Sequence, residues 1–164
     1  PGIVILRYIK LDADVPTFYL DITKNHNPIT LPISDALHAV LTRRNEARRK
    51  GNDYVFPAMR GKTGYLKDPR ALLKKVSDIA GDHIHPHALR RTFLDVAQIV
   101  GVDSDQRRQL SNHLASDVHG TNYENNPDPS ILMPAAQKIG SWITGQGIAA
   151  RAAAKGDNVV PMKA

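Results

Sequence analysis

The sequence predicts an α+β fold, in which a mostly helical domain carries a small antiparallel three-stranded sheet near the N-terminus. Three short apolar segments, at residues 3–11, 17–23 and 28–32, are separated by Asp, Pro and Asn residues that favour turns. In the rest of the chain, apolar residues recur at helical spacings in segments that begin at capping residues or proline. Strands followed by a run of helices are typical of an α+β domain.

The second and third strands are expected to pair as a hairpin. The four residues between them, Lys24 to Asn27, have the composition of a turn, which places Lys24 near the tip. On its own, a lysine at a hairpin tip is most simply a solvent-exposed charge.

The first two helices are bounded by residues that start and stop helices. Ser34 is positioned to cap a helix through about Lys50, and Gly51 follows it. Asp68-Pro69 begins a second helix, which Gly81 ends. The first of these helices has an expected apolar face made of Leu37, Val40 and Leu41.

The stretch from His85 to Tyr123 contains the candidate functional residues. A helix from Pro86 to Val100 is predicted by an apolar stripe of Leu89, Phe93, Val96, Ala97 and Val100. Arg90 lies about 80° from the centre of this stripe, which predicts a position at the border of the buried face and a need for an anionic partner. His87 shares its side of the helix, near an N-terminus that itself favours anions. A second helix is predicted from Asp103 or Ser104 towards His113.

The last predicted helix begins at Pro129 or Ser130 and ends near Thr144, before the sequence Gly145-Gln146-Gly147. The residues after it are small, polar and basic, with little surface to bury. We therefore expect one domain over residues 1–145 and a mobile C-terminal tail over residues 146–164.

Composition excludes several classes of protein and favours one kind of partner. The 164 residues contain no cysteine, which excludes disulfides and thiolate chemistry, and no segment suggests a membrane span or a signal peptide. We expect a cytoplasmic protein. The net charge of +6 and several Lys and Arg clusters favour a polyanion. Aromatic residues make up 5% of the chain, too few for a platform that stacks single strands, so double-stranded DNA is the better candidate among nucleic acids. The alternative is that a solvated helix face carries much of this charge.

Four motifs in order resemble the catalytic domain of the tyrosine recombinases, the phage integrase family. His87-Ala88-Leu89-Arg90 is similar to the H-x-x-R box of this family, and Leu110-Ser111-Asn112-His113 is similar to the box with its second histidine. Tyr123 stands where the nucleophile is expected, and Lys24 with the strand after it resembles the family's β-hairpin lysine. The resemblance extends from about residue 3 to about residue 143.

The resemblance implies a site-specific recombinase or integrase that cleaves and rejoins DNA through a 3′-phosphotyrosyl intermediate. Tyr123 is the implied nucleophile, Arg90 the phosphate ligand, His87 the base or hydrogen-bond partner, His113 a donor to the same phosphate and Lys24 the general acid. Arginine and histidine supply the positive charge, so neither a metal nor a cofactor is expected. Strand exchange between paired DNA sites implies a homo-oligomer, a tetramer, and the final helix is a candidate contact with a neighbouring protomer.

One departure leaves two other functions open. The family has another catalytic arginine at a helix start upstream of the hairpin lysine, whereas Arg7 lies in a predicted strand. We therefore expect the first arginine to lie before Pro1 and the chain to be an N-terminally truncated, weak or inactive enzyme. A catalytically inactive DNA-binding module is one alternative. A metal-dependent nuclease built on the alternating His83, His85 and His87 is the other, although no carboxylate has an evident ligand spacing with them.

Overall fold

The computed structural model describes residues 8–21, 28–48, 51–58, 63–113 and 128–156. Within these ranges it has three short strands followed by five helices, which confirms the predicted α+β class. The strands are β1 (Ile9–Lys10), β2 (Thr17–Leu20) and β3 (Ile29–Pro32). The helices are α1 (Asp35–Glu46), α2 (Arg70–Ala80), α3 (Pro86–Ile99), α4 (Ser104–Leu110) and α5 (Pro129–Gly156).

The three strands form one antiparallel sheet in the order β1-β2-β3. Phe18 on the central strand is paired with Ile9 on one side and Leu31 on the other. The predicted pairing of the second and third strands is confirmed, while Lys24 and the rest of the predicted hairpin tip lie outside the described residues.

Helix α5 lies at the centre of the molecule, because it packs against β3, α1, α3 and α4. Its residue Leu132 is fully buried in a cluster with Ile29 and Leu31 of the sheet. One turn and two turns later, Ala135 and Ile139 are buried in a second cluster. The partners of these two residues come from α3 and the turn after it and are Val96, Ala97 and Val102.

Two contacts fix the start of α1 on α5. The Gln137 side chain accepts a hydrogen bond from the backbone N–H of Asp35 (3.0 Å) and donates one to the Asp35 carboxylate (2.9 Å). Gly140 lies so close to Ser34 that an added Cβ would be 2.7 Å from the Ser34 Oγ. Gln137 therefore satisfies one of the free N–H groups at the helix start, which the Ser34 side chain does not cap.

The predicted helix starts are confirmed to within about two residues, and so are the ends of α2 and α3. Pro86 is the first residue of α3, and Gly81 ends α2 in the left-handed conformation with φ of 68°. The prediction that the last helix ends before Gly145 was wrong, because α5 continues to Gly156. Glycine inside a helix costs only about 1 kcal/mol relative to alanine, and the alanines that follow favour continuation. The boundary between a domain and a mobile tail at residue 145 stays a prediction.

The apolar faces predicted for α1 and α3 are buried over only part of their length. On α1, Leu41 is buried, but Leu37 and Val40 are 38% and 43% exposed. On α3, Val96 and Ala97 are buried near the C-terminal end, whereas Leu89 is 53% exposed. The first turns of α3 therefore lie outside the core, and the functional residues that they carry are exposed to solvent.

Candidate functional site

The N-terminal half of α3 exposes both functional residues of the H-x-x-R box. His87 is the second residue of the helix and Arg90 lies three positions later, so the two side chains project to the same side. Both residues are exposed. The prediction that Arg90 lies at the border of a buried face was wrong, because the hydrophobic core contacts the other end of this helix.

The second histidine follows a turn that ends α4. Asn112 has φ of 50°, in the left-handed region that favours glycine and is tolerated by asparagine. Its N–H donates to the carbonyl of Gln109 (3.0 Å), and the N–H of His113 donates to the carbonyl of Arg108 (2.8 Å). This pair of bonds is the Schellman motif, which satisfies carbonyls at a helix end and reverses the chain direction. His113 is exposed immediately after the reversal.

A side-chain contact joins these two motifs, which are 21 residues apart. Arg90 Nη2 donates a hydrogen bond to the carbonyl oxygen of Ser111 at 2.7 Å. Ser111 is the C-cap of α4, so its carbonyl is one of those left without a partner inside the helix. The cation also lies at the negative end of the helix dipole. Within the described residues Arg90 thus contacts a carbonyl oxygen, and the anionic partner that the sequence predicted, a carboxylate or a phosphate, stays a prediction.

Several basic side chains form ion pairs with carboxylates of the same chain. Arg48 pairs with Asp53, Lys74 with Asp78, and Arg108 with Asp105. Both partners in each pair are substantially exposed, so these contacts contribute little to stability but reduce the local positive charge. The clustered cations of the sequence therefore do not all face a ligand.

Arg44, one of the clustered cations, has a structural role. Its Nε and Nη2 donate to the carbonyl of Val55 at 3.2 and 3.0 Å, and its guanidinium lies 5.5 Å from the centre of the Phe56 ring. These contacts hold the segment around Val55 against α1. Arg44 therefore contributes to the packing of this segment.

Carboxylates at the starts of two helices have pKa values shifted by hydrogen bonds. A hydrogen bond from the Arg70 side chain, with a second from its backbone N–H, lowers the pKa of Asp68 before α2. Before α5, the backbone N–H of Ser130 donates to Asp128 at 2.9 Å and lowers the pKa of that carboxyl. Asp128 is therefore ionised at neutral pH at the N-terminus of the central helix, where negative charge is stabilising.

The remaining two predicted site residues, Lys24 and Tyr123, lie outside the described residues. The described chain stops at His113 and resumes at Asp128, so Tyr123 belongs to a segment joined at both ends to described parts of the structure. The structure brings Arg90 next to the Leu110-Ser111-Asn112-His113 box. The catalytic roles of all five residues stay predictions.

The alternating histidines lie close together at the start of α3. The ring centres of His83 and His85 are 5.4 Å apart, and those of His85 and His87 are 6.5 Å apart. Over the ranges that the structure describes, no group of three or more His, Asp or Glu side chains has a geometry that could hold a metal ion.

The sequence did not predict the structural roles of three residues that shape this site. Ser111 supplies the carbonyl that Arg90 contacts, and Asn112 supplies the reversal before His113. His85 is the N-cap of α3, and its position directly before a proline that starts a helix was the available signal. A carbonyl acceptor 21 residues away leaves no such signal in the sequence.

A match to a known family decides the classification. A family model described as the phage integrase family matches residues 3–126. The chain belongs to the phage integrase family. The matched range of this phage integrase family member includes Lys24, both histidine boxes and Tyr123. No curated protein and no solved structure matches the chain.

Membership of the phage integrase family implies DNA binding and, in general terms, DNA recombinase activity. Among the helices in the described part of this family member, none combines the length and the apolar character that a membrane crossing requires.

Proposed function

We propose that the protein is the catalytic part of a site-specific DNA recombinase that cleaves and rejoins duplex DNA through a 3′-phosphotyrosyl intermediate on Tyr123. The observation that carries this proposal is the hydrogen bond from Arg90 Nη2 to Ser111 O. It joins the two motifs whose side chains would act on one phosphate. A guanidinium that uses one Nη to position itself still has other N–H donors for phosphate oxygens.

The proposed step exchanges one phosphate ester for another. The Tyr123 phenolic oxygen attacks the scissile phosphorus, the bond from phosphorus to the 5′ oxygen breaks, and the phosphate stays attached through its 3′ oxygen. A phenol has a reference pKa of about 10, so the reaction needs a base or strong positive potential at neutral pH. His87 accepts the phenolic proton or hydrogen-bonds to the phosphate, and Lys24 protonates the departing 5′ oxygen.

Arg90 and His113 stabilise the charge that develops on the non-bridging oxygens. Arginine presents paired N–H donors in a planar fork that matches two phosphate oxygens, which lysine does not. Donors fixed before the reaction lower the barrier because they need no reorganisation. The Schellman turn at Asn112 supports this role, since it fixes the backbone from which His113 projects.

Cleavage and rejoining at paired sites require more than one copy of this chain. We propose a tetramer on two duplexes, with α5 as the candidate contact between protomers. Ile143 and Ile148 on α5 are 48% and 62% exposed, which gives this helix apolar surface to bury against a partner.

The deciding experiment is covalent trapping on a suicide DNA substrate. The protein is tested in its full-length form. We expect an EDTA-resistant covalent adduct that Tyr123→Phe abolishes and that the matched control Tyr65→Phe retains. An adduct that survives Tyr123→Phe refutes the nucleophile assignment. Salt-sensitive binding without an adduct indicates a DNA-binding module, and EDTA-sensitive cleavage indicates a metal-dependent nuclease.

A further inference from the structure

His85 caps the helix that carries His87 and Arg90. It has extended backbone angles (φ −139°, ψ 165°), and its carbonyl accepts the first helical hydrogen bond, from the N–H of Leu89 at 3.1 Å. Its Nδ1 accepts a second hydrogen bond, from the backbone N–H of Ala88 at 3.3 Å. Pro86 has no N–H group, so the cap satisfies one of the few free donors in this first turn.

The bond to Ala88 requires one protonation state of the His85 ring. A neutral imidazole accepts through the nitrogen that lacks a proton, whereas both nitrogens of an imidazolium are donors. Protonation of His85 would therefore set a donor against the Ala88 N–H and add positive charge at the positive end of the helix dipole. Imidazole is the side chain whose charge changes between pH 5 and 8, unlike the usual capping residues Ser, Thr and Asn.

The surroundings of His85 add positive charge when the pH falls. The neighbouring rings belong to His83 and His87, and the next charges along the chain are Asp82 before them and Arg90 and Arg91 after them. None of the ion pairs in the described ranges involves a histidine of this cluster. The Asp82 carboxylate accepts a hydrogen bond from the backbone N–H of His83 at 2.6 Å, but in the described ranges no carboxylate pairs with an imidazole ring of this cluster to offset its protonation.

The segment before His85 is anchored to α2, so the cap acts on a fixed chain. The N–H of Ile84 donates to Ser77 Oγ at 2.8 Å, and the Ser77 hydroxyl donates to the Leu73 carbonyl at 2.9 Å. The charged side chains of α2 near this anchor, Lys74 and Asp78, contact each other. Because the segment before His85 is held in this way, the orientation of the first turn of α3 depends on the hydrogen bonds at His85.

We infer that His85 is a positioning residue that orients His87 and Arg90 through the N-cap of α3, and that this positioning is lost as His85 becomes protonated. The cap is complete when the His85 ring is neutral and weakens when the ring is protonated. The positioning of His87 and Arg90 for phosphate rests on the proposed function, whereas the proton-dependent cap does not.

The cap is tested without DNA, by hydrogen exchange of the Ala88 amide in the complete protein between pH 7.5 and 5.5. We expect its protection factor to fall about fivefold in the wild type, the effect of losing a typical cap. His85→Asn keeps a capping side chain that does not titrate and should show no such fall. His83→Asn removes a neighbouring imidazole but not the cap and should behave as the wild type does. Equal profiles in the wild type and His85→Asn overturn the inference.

The positioning role is tested with the suicide substrate at pH 7.5. We expect His85→Ala to form the phosphotyrosyl adduct about fivefold more slowly than the wild type, and His85→Asn to restore the rate. The wild-type rate should also fall more steeply towards pH 5.5 than that of His85→Asn. If His85→Ala and the wild type react equally fast, His85 has no positioning role. If no variant forms an adduct while the amide profiles differ as expected, the proposed function fails and the cap stands.

Discussion

Arg90 and Ser111 connect two helices through a single hydrogen bond, from Nη2 of the arginine to the carbonyl oxygen of the serine at 2.7 Å. The contact uses a carbonyl that the end of α4 leaves free, and it fixes a guanidinium beside the turn that leads to His113. Arg90 is exposed, and its guanidinium has further N–H donors besides the one bound to Ser111. The same side chain is thus both a link between helices and a candidate phosphate ligand.

Replacing Arg90 by lysine should show whether the planar guanidinium is needed or whether a positive charge alone is sufficient. Lysine keeps the charge but lacks the planar fork, so we expect adduct formation to slow by about 100-fold, the scale of losing one preorganised donor. The free energy of unfolding in urea should change by less than about 1 kcal/mol, because the residue is exposed. Arg91→Lys is the matched control on the next position and should leave both quantities unchanged. Equal slowing in the two variants would contradict a specific role for Arg90.

Substitutions at Asn112 should distinguish its backbone conformation from its side chain. Asn112→Val places a β-branched residue at φ of 50°, and we expect a loss of about 1–2 kcal/mol in the free energy of unfolding. Asn112→Gly removes the steric cost and should stay within about 0.5 kcal/mol of the wild type. Urea denaturation measures both variants. Comparable losses in valine and glycine would show that the asparagine side chain, rather than the left-handed backbone, stabilises the turn.

Alanine substitutions at two glycines of α5 should change the free energy of unfolding in opposite directions. At Gly140 the new Cβ would lie 2.7 Å from Ser34 Oγ, and we expect overpacking to destabilise the protein by about 1–3 kcal/mol. At Gly145 a Cβ would meet nothing within 4 Å, and the same change should stabilise it by about 0.5–1 kcal/mol through helix propensity. Urea unfolding of the two variants provides the comparison. No gain at Gly145 would indicate that α5 ends near this residue in solution.

The carboxyl group of Asp128 should make stability depend on pH in the acid range. The hydrogen bond from the Ser130 backbone lowers its pKa in the folded state below the value in the unfolded chain. The stabilising effect is therefore present above the unfolded pKa, about 3.9, and is lost as the pH falls through the folded value. Asp128→Asn keeps a capping side chain without the charge.

For this prediction the measured quantity is the difference in unfolding free energy between the wild type and Asp128→Asn, followed from pH 7 to pH 2.5. We expect the wild type to have an advantage at neutral pH that shrinks below about pH 4. A difference that stays constant over the whole range would mean that the hydrogen bond does not favour the ionised carboxyl.

Local signals in the sequence predicted the features that depend on a few neighbouring residues. Pro86 before an apolar stripe predicted the start of α3, and Gly81 predicted the end of α2, because both act through their own backbone. Gly145 was a misleading signal, since its helix cost is small and nothing crowds it.

Features that depend on distant residues could not be predicted in this way. Gln137 contacts Asp35 across 102 positions, and Arg90 contacts Ser111 across 21. The exposure of Arg90 was missed for the same reason. The helical spacing predicts the angular position of Arg90 around α3. The end of α3 that packs against α5 is set by the packing of the whole chain, which the spacing does not show.

The start of α5 limits the region that the Tyr123 side chain can reach. Asp128 immediately precedes α5, and Tyr123 is five residues before Asp128, so the Cα atoms of Tyr123 and Asp128 are at most about 18 Å apart. In the proposed reaction, the scissile phosphate has to lie within that radius, extended by one tyrosine side chain. If Tyr123 is the nucleophile that we propose, this covalent tether limits its attack to DNA held near the start of α5.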